Sequence, residues 1–164
     1  MSEPQQRPGK SKQDYATPAE FIDAVVDRFG PLAYDLAADA TNHKAASYFT
    51  AEQDSLKQDW TRLRGNLWLN PPFCDIAPWA AKCAETCHEM VMGDRILMLV
   101  PASVGSNWFL QHVYHRALVI ALNPRMSFDG KAPFPKDLIL AAYGRPPGFE
   151  VWRWKGGDVG RVAA

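Results

Sequence analysis

Two short segments constrain the fold of this chain most: residues 95–100 (RILMLV) and 117–122 (ALVIAL). Both are almost wholly apolar. A half-buried strand alternates apolar and polar side chains, so runs without alternation belong to strands covered on both faces, as in parallel sheets flanked by helices. Helical patterns lie around them. Thr17-Pro18-Ala19-Glu20 has the make-up of a helix start, with Thr as N-cap, Pro at the first helical position and Glu at the third. Phe21, Ile22, Val25, Val26 and Phe29 follow at helical spacing, and Gly30-Pro31 stops the helix. Residues 76–92 and 107–114 read as further helices, and 32–38 and 66–69 as strands. Segments 137–143 and 149–154 read as strands around the turn Arg145-Pro146-Pro147-Gly148, an antiparallel hairpin closing one end of the sheet. The expectation is an α/β domain with ligands beyond the carboxyl ends of its strands.

A chain of 164 residues is enough for one domain with a real core. Residues 1–13 are polar and read as a tail, 14–154 as the domain and 155–164 as a second tail. Lys plus Arg and Asp plus Glu number 18 each, so the totals carry no bulk attraction to nucleic acid. A local cationic patch stays open, and the 123–136 loop with Arg125, Lys131 and Lys136 is the candidate for contact with a phosphate backbone. Three cysteines without a secretory signal predict reduced thiols in a cytoplasm. Cys83 and Cys87 stand four apart with no second ligand cluster, which favours core packing over a metal. No apolar run reaches the roughly 20 residues of a membrane helix.

The chemistry concentrates at Asn70-Pro71-Pro72-Phe73, after the apolar Leu67-Trp68-Leu69. An Asn carbonyl and a proline carbonyl can each accept a hydrogen from one amino group, and Phe73 can stack on a flat heterocycle. Taken alone, the tetrapeptide reads equally as a strand ending in a Pro-Pro turn. The order Tyr15-Ala16-Thr17-Pro18, Asp35-Leu36-Ala37-Ala38-Asp39, Tyr48-Phe49-Thr50, Asp59-Trp60 and then the corner raises its weight.

In these motifs the sequence resembles the phage and prophage Dam-type DNA adenine methyltransferases, from about residue 15 to 143. The resemblance implies a Rossmann-like sheet, S-adenosylmethionine as cofactor, DNA as partner and a bacterial cytoplasm as location. It implies methyl transfer to the exocyclic N6 amine of adenine. By the same resemblance Asn70, Pro71, Pro72 and Phe73 form the catalytic corner. Thr17 and Pro18 contact the methionine end of the cofactor, and Asp35 or Asp39 holds another part of it. Asp59, before Trp60, bonds the cofactor's adenine. No metal is called for. The chain departs from most methyltransferases at Ala37-Ala38-Asp39-Ala40, where a glycine-rich loop is expected. Two rivals stay open: methylation of RNA or of a protein glutamine, and a non-enzymatic binding module on a degenerate methyltransferase fold.

Overall fold

The computed structural model describes residues 16–128 and 130–156. The expected 1–13 tail lies outside them, as does all of the 155–164 tail beyond Gly156. The chain forms α1 (Ala19–Phe29), β1 (Leu32–Asp35), three single 3₁₀ turns between residues 51 and 62, β2 (Asn66–Leu69), α2 (Ala77–Cys87), β3 (Arg95–Pro101), α3 (Asn107–His112), β4 (Leu118–Asn123), β5 (Leu138–Tyr143) and β6 (Gly148–Arg153). One six-stranded sheet has the order β1-β2-β3-β5-β4-β6. Neighbours β1, β2 and β3 are parallel, β5 opposes both β3 and β4, and β6 is parallel to β4. Five strands thus share one direction and β5 runs against them.

Alternation along β2 and β3 sends successive side chains to opposite layers. Trp68, Leu97 and Leu99 pack with Phe21 and Val25 of α1, whereas Leu67, Leu69, Ile96, Met98 and Val100 pack with Ala80 and Cys83 of α2 and Phe109 of α3. Burying one such aliphatic side chain contributes about 1.5–3 kcal/mol. The two layers together cover β2 and β3 completely, which is why residues 95–100 show no alternation. No helix among the described residues is long and apolar enough to cross a membrane.

The expected hairpin between the last two strands does not form. Both edges of β5 are taken, by β3 and by β4, so β6 crosses to the far side of β4 and pairs there in parallel. Gly144 starts that crossing at φ +86°, and a Cβ there would stand 2.4 Å from the Asp94 carbonyl, so the crossing needs glycine. Three other boundaries are shorter than their patterns. The first strand stops at Asp35, whose carboxylate gathers the following loop. The second helix stops at Cys87 and the third at His112.

The helix start also differs. Pro18, not Thr17, holds the N-cap position, with extended ψ of 141°, and α1 opens at Ala19. The Pro18 carbonyl accepts from the Phe21 and Ile22 N–H groups, and no side chain caps the helix. The Thr17 hydroxyl is therefore released for other work.

Candidate active site

The carboxyl ends of β1 and β2 and the chain entering α1 converge. Each contributes one polar side chain: Asp35 ends β1, Asn70 follows β2, and Thr17 precedes α1. With Ala37, Asn42, Lys44 and Trp68 they line a polar cavity of about 20 Å³. That volume suits about one water molecule, so any larger ligand lies across the mouth.

At its centre the Asn70 Nδ2 donates to the Thr17 Oγ1 at 3.1 Å, across 53 residues of sequence. Thr17 is buried. A threonine hydroxyl can accept from an amide nitrogen or donate to an amide oxygen, and here it accepts from Nδ2. Pro71 is buried, and the Pro72 carbonyl closes a turn onto the Asp75 N–H.

Phe73 is half-buried in an aromatic cluster. Its ring centroid lies 6.4 Å from that of Phe128 and 5.8 Å from that of Phe134, and those two are 5.4 Å apart, all edge to face. A bond from the Phe134 N–H to the Met126 carbonyl pinches the loop that carries both rings. Phe128 and Phe134 of the connection after β4 therefore pack against the Asn70–Phe73 corner. Among its cations Arg125 pairs with Asp137 at 2.9 Å, and Lys131 and Lys136 are exposed. Phe134, like Lys44 and Asn42, was not a candidate from sequence. An aromatic flanked by prolines in Ala132-Pro133-Phe134-Pro135 is the signal that points to it.

The three acids are placed differently. Asp35 is buried and accepts from the Ala37 N–H at 3.2 Å and the Lys44 N–H at 2.8 Å. Burial pushes its pKa up, opposed by those N–H groups and by the nearby Lys44 and His43 charges. Asp39 is exposed and folds its own turn, accepting from the Thr41 N–H and hydroxyl and from the Asn42 N–H. The Thr41 hydroxyl leads the effects that lower its pKa. Asp59 repeats the pattern: Oδ1 accepts from the Thr61 hydroxyl at 2.6 Å and the Thr61 N–H at 3.1 Å, and the carboxylate pairs with Arg62. Its pKa is lowered, first by the Thr61 hydroxyl. It is not among the residues lining the cavity.

Trp60 is 1% exposed, bonds Ser55 through its Nε1, and packs against Trp79 and the Lys82 ammonium. The Trp60 ring thus belongs to the core. Cys83 lies in the core with its thiol pushed well above the usual range by burial, and Cys87 donates to the Ala84 carbonyl.

The carboxyl edge of this α/β sheet thus gathers an amide, a half-buried aromatic and a small polar cavity. The chain matches the family model "DNA N-6-adenine-methyltransferase (Dam)" over residues 5–140, and it belongs to that family. The matched stretch contains every site residue named above. A DNA N-6-adenine-methyltransferase of Escherichia phage T1 is 28% identical over 115 residues, which cover 70% of this chain and 47% of that protein. This chain thus spans about half the length of the T1 relative. A DNA N-6-adenine-methyltransferase of Haemophilus phage HP1 is 26% identical over 124 residues, covering 73% of this chain and 68% of the relative.

Proposed function

We propose that this domain transfers a methyl group from S-adenosylmethionine to the N6 amine of adenine in DNA, on a Rossmann-like sheet. The observation that carries the reading is the bond from Asn70 to Thr17. An Asn amide can present either a donor or an acceptor to an incoming amine, and only the acceptor is productive. With Nδ2 engaged by Thr17, Oδ1 is the end of the amide that this reading assigns to the amine.

Adenine's exocyclic nitrogen is a weak nucleophile because its lone pair is delocalised into the ring. Asn70 Oδ1 and the Pro71 carbonyl accept its two hydrogens and draw it towards tetrahedral geometry, which localises the lone pair. Positioning and a preorganised polar site supply most of the acceleration in such a design. S-adenosylmethionine supplies the electrophile, a methyl group on a positively charged sulfur. The residues present fit that cofactor: the uncapped N-terminus of the 11-residue α1 and the Lys44 side chain suit a carboxylate, and Asp35 offers acceptors to hydroxyls or an ammonium.

A base within a duplex cannot reach this corner, so the target adenine is flipped out and held against Phe73. Stacking of a base on an aromatic ring contributes roughly 1–3 kcal/mol, which offsets part of the unstacking cost. Phe128 and Phe134 already cover part of the Phe73 ring. Base entry therefore goes with movement of the 124–136 loop, which brings Arg125, Lys131 and Lys136 towards the DNA backbone.

The test is a methylation assay with labelled cofactor on duplex DNA, RNA and protein in parallel. The expected label is on N6 of adenine in DNA, and label on protein alone overturns the reading. One observation favours a second reading, a binding module without catalysis: Asp35, Asp39 and Asp59 are all engaged by their own loops. Calorimetry separates the two, since a module gives no heat with S-adenosylmethionine, with or without DNA.

A further inference from the structure

β1 has a second neighbour besides β2. On its outer edge the Asp35 N–H donates to the Ser47 carbonyl, and the Phe49 N–H donates to the Asp35 carbonyl. Asp35 thus pairs in parallel with Tyr48 there, and with Trp68 of β2 on its inner edge. Paired residues send their side chains to the same face of a sheet, and their chain neighbours to the other. Tyr34 and Phe49 follow this rule, with ring centroids 4.7 Å apart in the layer of α2. Asp35, Trp68 and Tyr48 therefore share the opposite face. Asp35 and Trp68 line the polar cavity, and Tyr48 continues that face outwards.

The Tyr48 ring already carries a flat ring. The His43 imidazole lies on it with 4.3 Å between centroids and 11° between planes, a stacked pair. His43 is exposed, and its Nδ1 bonds the Ala45 carbonyl two residues on. In sequence it stands between Asn42 and Lys44, which both line the cavity, and its charge acts on the Asp35 carboxylate. An exposed imidazole held by its own turn is a cover that another flat ring can replace.

We propose, on the reading of this domain as an S-adenosylmethionine-dependent methyltransferase, that Tyr48 is the stacking platform for the cofactor's adenine and that His43 yields its place there. The order across the carboxyl edge is the 47–49 segment, β1 and then β2. Adjacent strands lie about 4.8 Å apart, so Tyr48 and the end of β2 are separated by about 10 Å, with Asp35 between them. Along that line Tyr48 takes the purine, Asp35 accepts from the ribose hydroxyls, and Asn70 stands at the reacting end. An aromatic face suits a heterocycle, and a carboxylate suits hydroxyls. The buried Trp60 indole offers no open face for the same work. Phe73 follows β2, on the other side of Asp35, so the two adenines of the reaction use separate rings.

Calorimetry of the full chain with S-adenosylmethionine tests this. Tyr48→Leu should weaken affinity about tenfold or more. Tyr48→Phe keeps the ring and should stay within about twofold of the wild type. His43→Ala should bind equally well or more tightly. The wild type gives a readout that no folding defect can mimic. In protein labelled at its tyrosine rings, the Tyr48 resonances, assigned by their absence from Tyr48→Phe, should shift when S-adenosylhomocysteine is added. Those of the fully buried Tyr143 should not. Unchanged affinity in Tyr48→Leu, or a Tyr48 ring that stays silent while the cofactor binds, overturns the platform and leaves the methyltransferase reading standing. A loss in His43→Ala as large as that in Tyr48→Leu makes the imidazole the platform and overturns it as well. A wild type that gives no heat with S-adenosylmethionine, with or without DNA, overturns both.

Discussion

The amide at the catalytic corner and the acids around it are held in opposite ways. Asn70 is oriented by a partner 53 residues away, brought close only by the fold. Asp39 and Asp59 are satisfied by the threonine two residues on, and Asp35 by N–H groups two and nine residues on. A local partner shapes a turn and says nothing about ligands. A distant partner ties two parts of the fold together, as Thr17 ties the start of α1 to the end of β2. In the proposed reading the corner receives the amine, while the acids hold the loops that surround it.

Substitutions can break this contrast. The largest effect is expected from Asn70→Ala, which should lower the methylation rate by at least about 10²–10³-fold while calorimetric affinity for S-adenosylmethionine stays nearly constant. Full activity in that variant sinks the catalytic assignment. Thr17→Val comes next: it removes the acceptor for Nδ2, lets the amide turn, and should lower kcat roughly tenfold or more. Thr17→Ser keeps the hydroxyl and should restore kcat, a rescue that loss of packing alone would not give. Asp59→Ala should lower the melting temperature by a few degrees through loss of its turn, and weaken cofactor affinity about tenfold. A lowered melting temperature with unchanged affinity would leave Asp59 with the turn alone.

The smallest effect is a slope. Asp35 has a folded-state pKa raised above its ordinary 3.8 by burial. The folded state then holds this proton more tightly than the unfolded state does. Its contribution to stability is greatest below the ordinary carboxylate range and declines as pH rises through the raised value. Thermal melts of the wild type and Asp35→Asn across the acidic range should show that decline in the wild type and not in the variant. Parallel curves would remove Asp35 as its source.

Much of this was legible in the sequence, for physical reasons that differ by element. Residues 95–100 declared themselves because a strand covered on both faces tolerates no polar alternation, whereas 117–122 has the same apolar pattern on a strand that is only partly covered. The corner was legible because Pro-Pro after an apolar strand leaves little choice of backbone. The pairing of the last strand was not. Arg145-Pro146-Pro147-Gly148 has hairpin composition, yet composition cannot tell that both edges of β5 are already occupied. Thr17 was misplaced by one position, since a threonine before a helix reads the same whether it caps the helix or bonds elsewhere. Trp60 stands in a polar stretch, and only the fold shows that its indole is drawn into the core beside Trp79. The cluster around Phe73 needed a contact between residues more than fifty positions apart.

The reversed strand has a consequence during synthesis. β1, β2 and β3, with Thr17 and the whole corner, have left the ribosome once Pro101 is out. The strand that seals the free edge of β3 comes only with residues 138–143. Until then Ile96–Pro101 presents an apolar row of unpaired amide groups, the kind of edge that recruits strands from other chains. A nascent chain stalled between those points would be a seed for aggregation, and the speed of translation through the 102–137 stretch sets how long each molecule carries that risk.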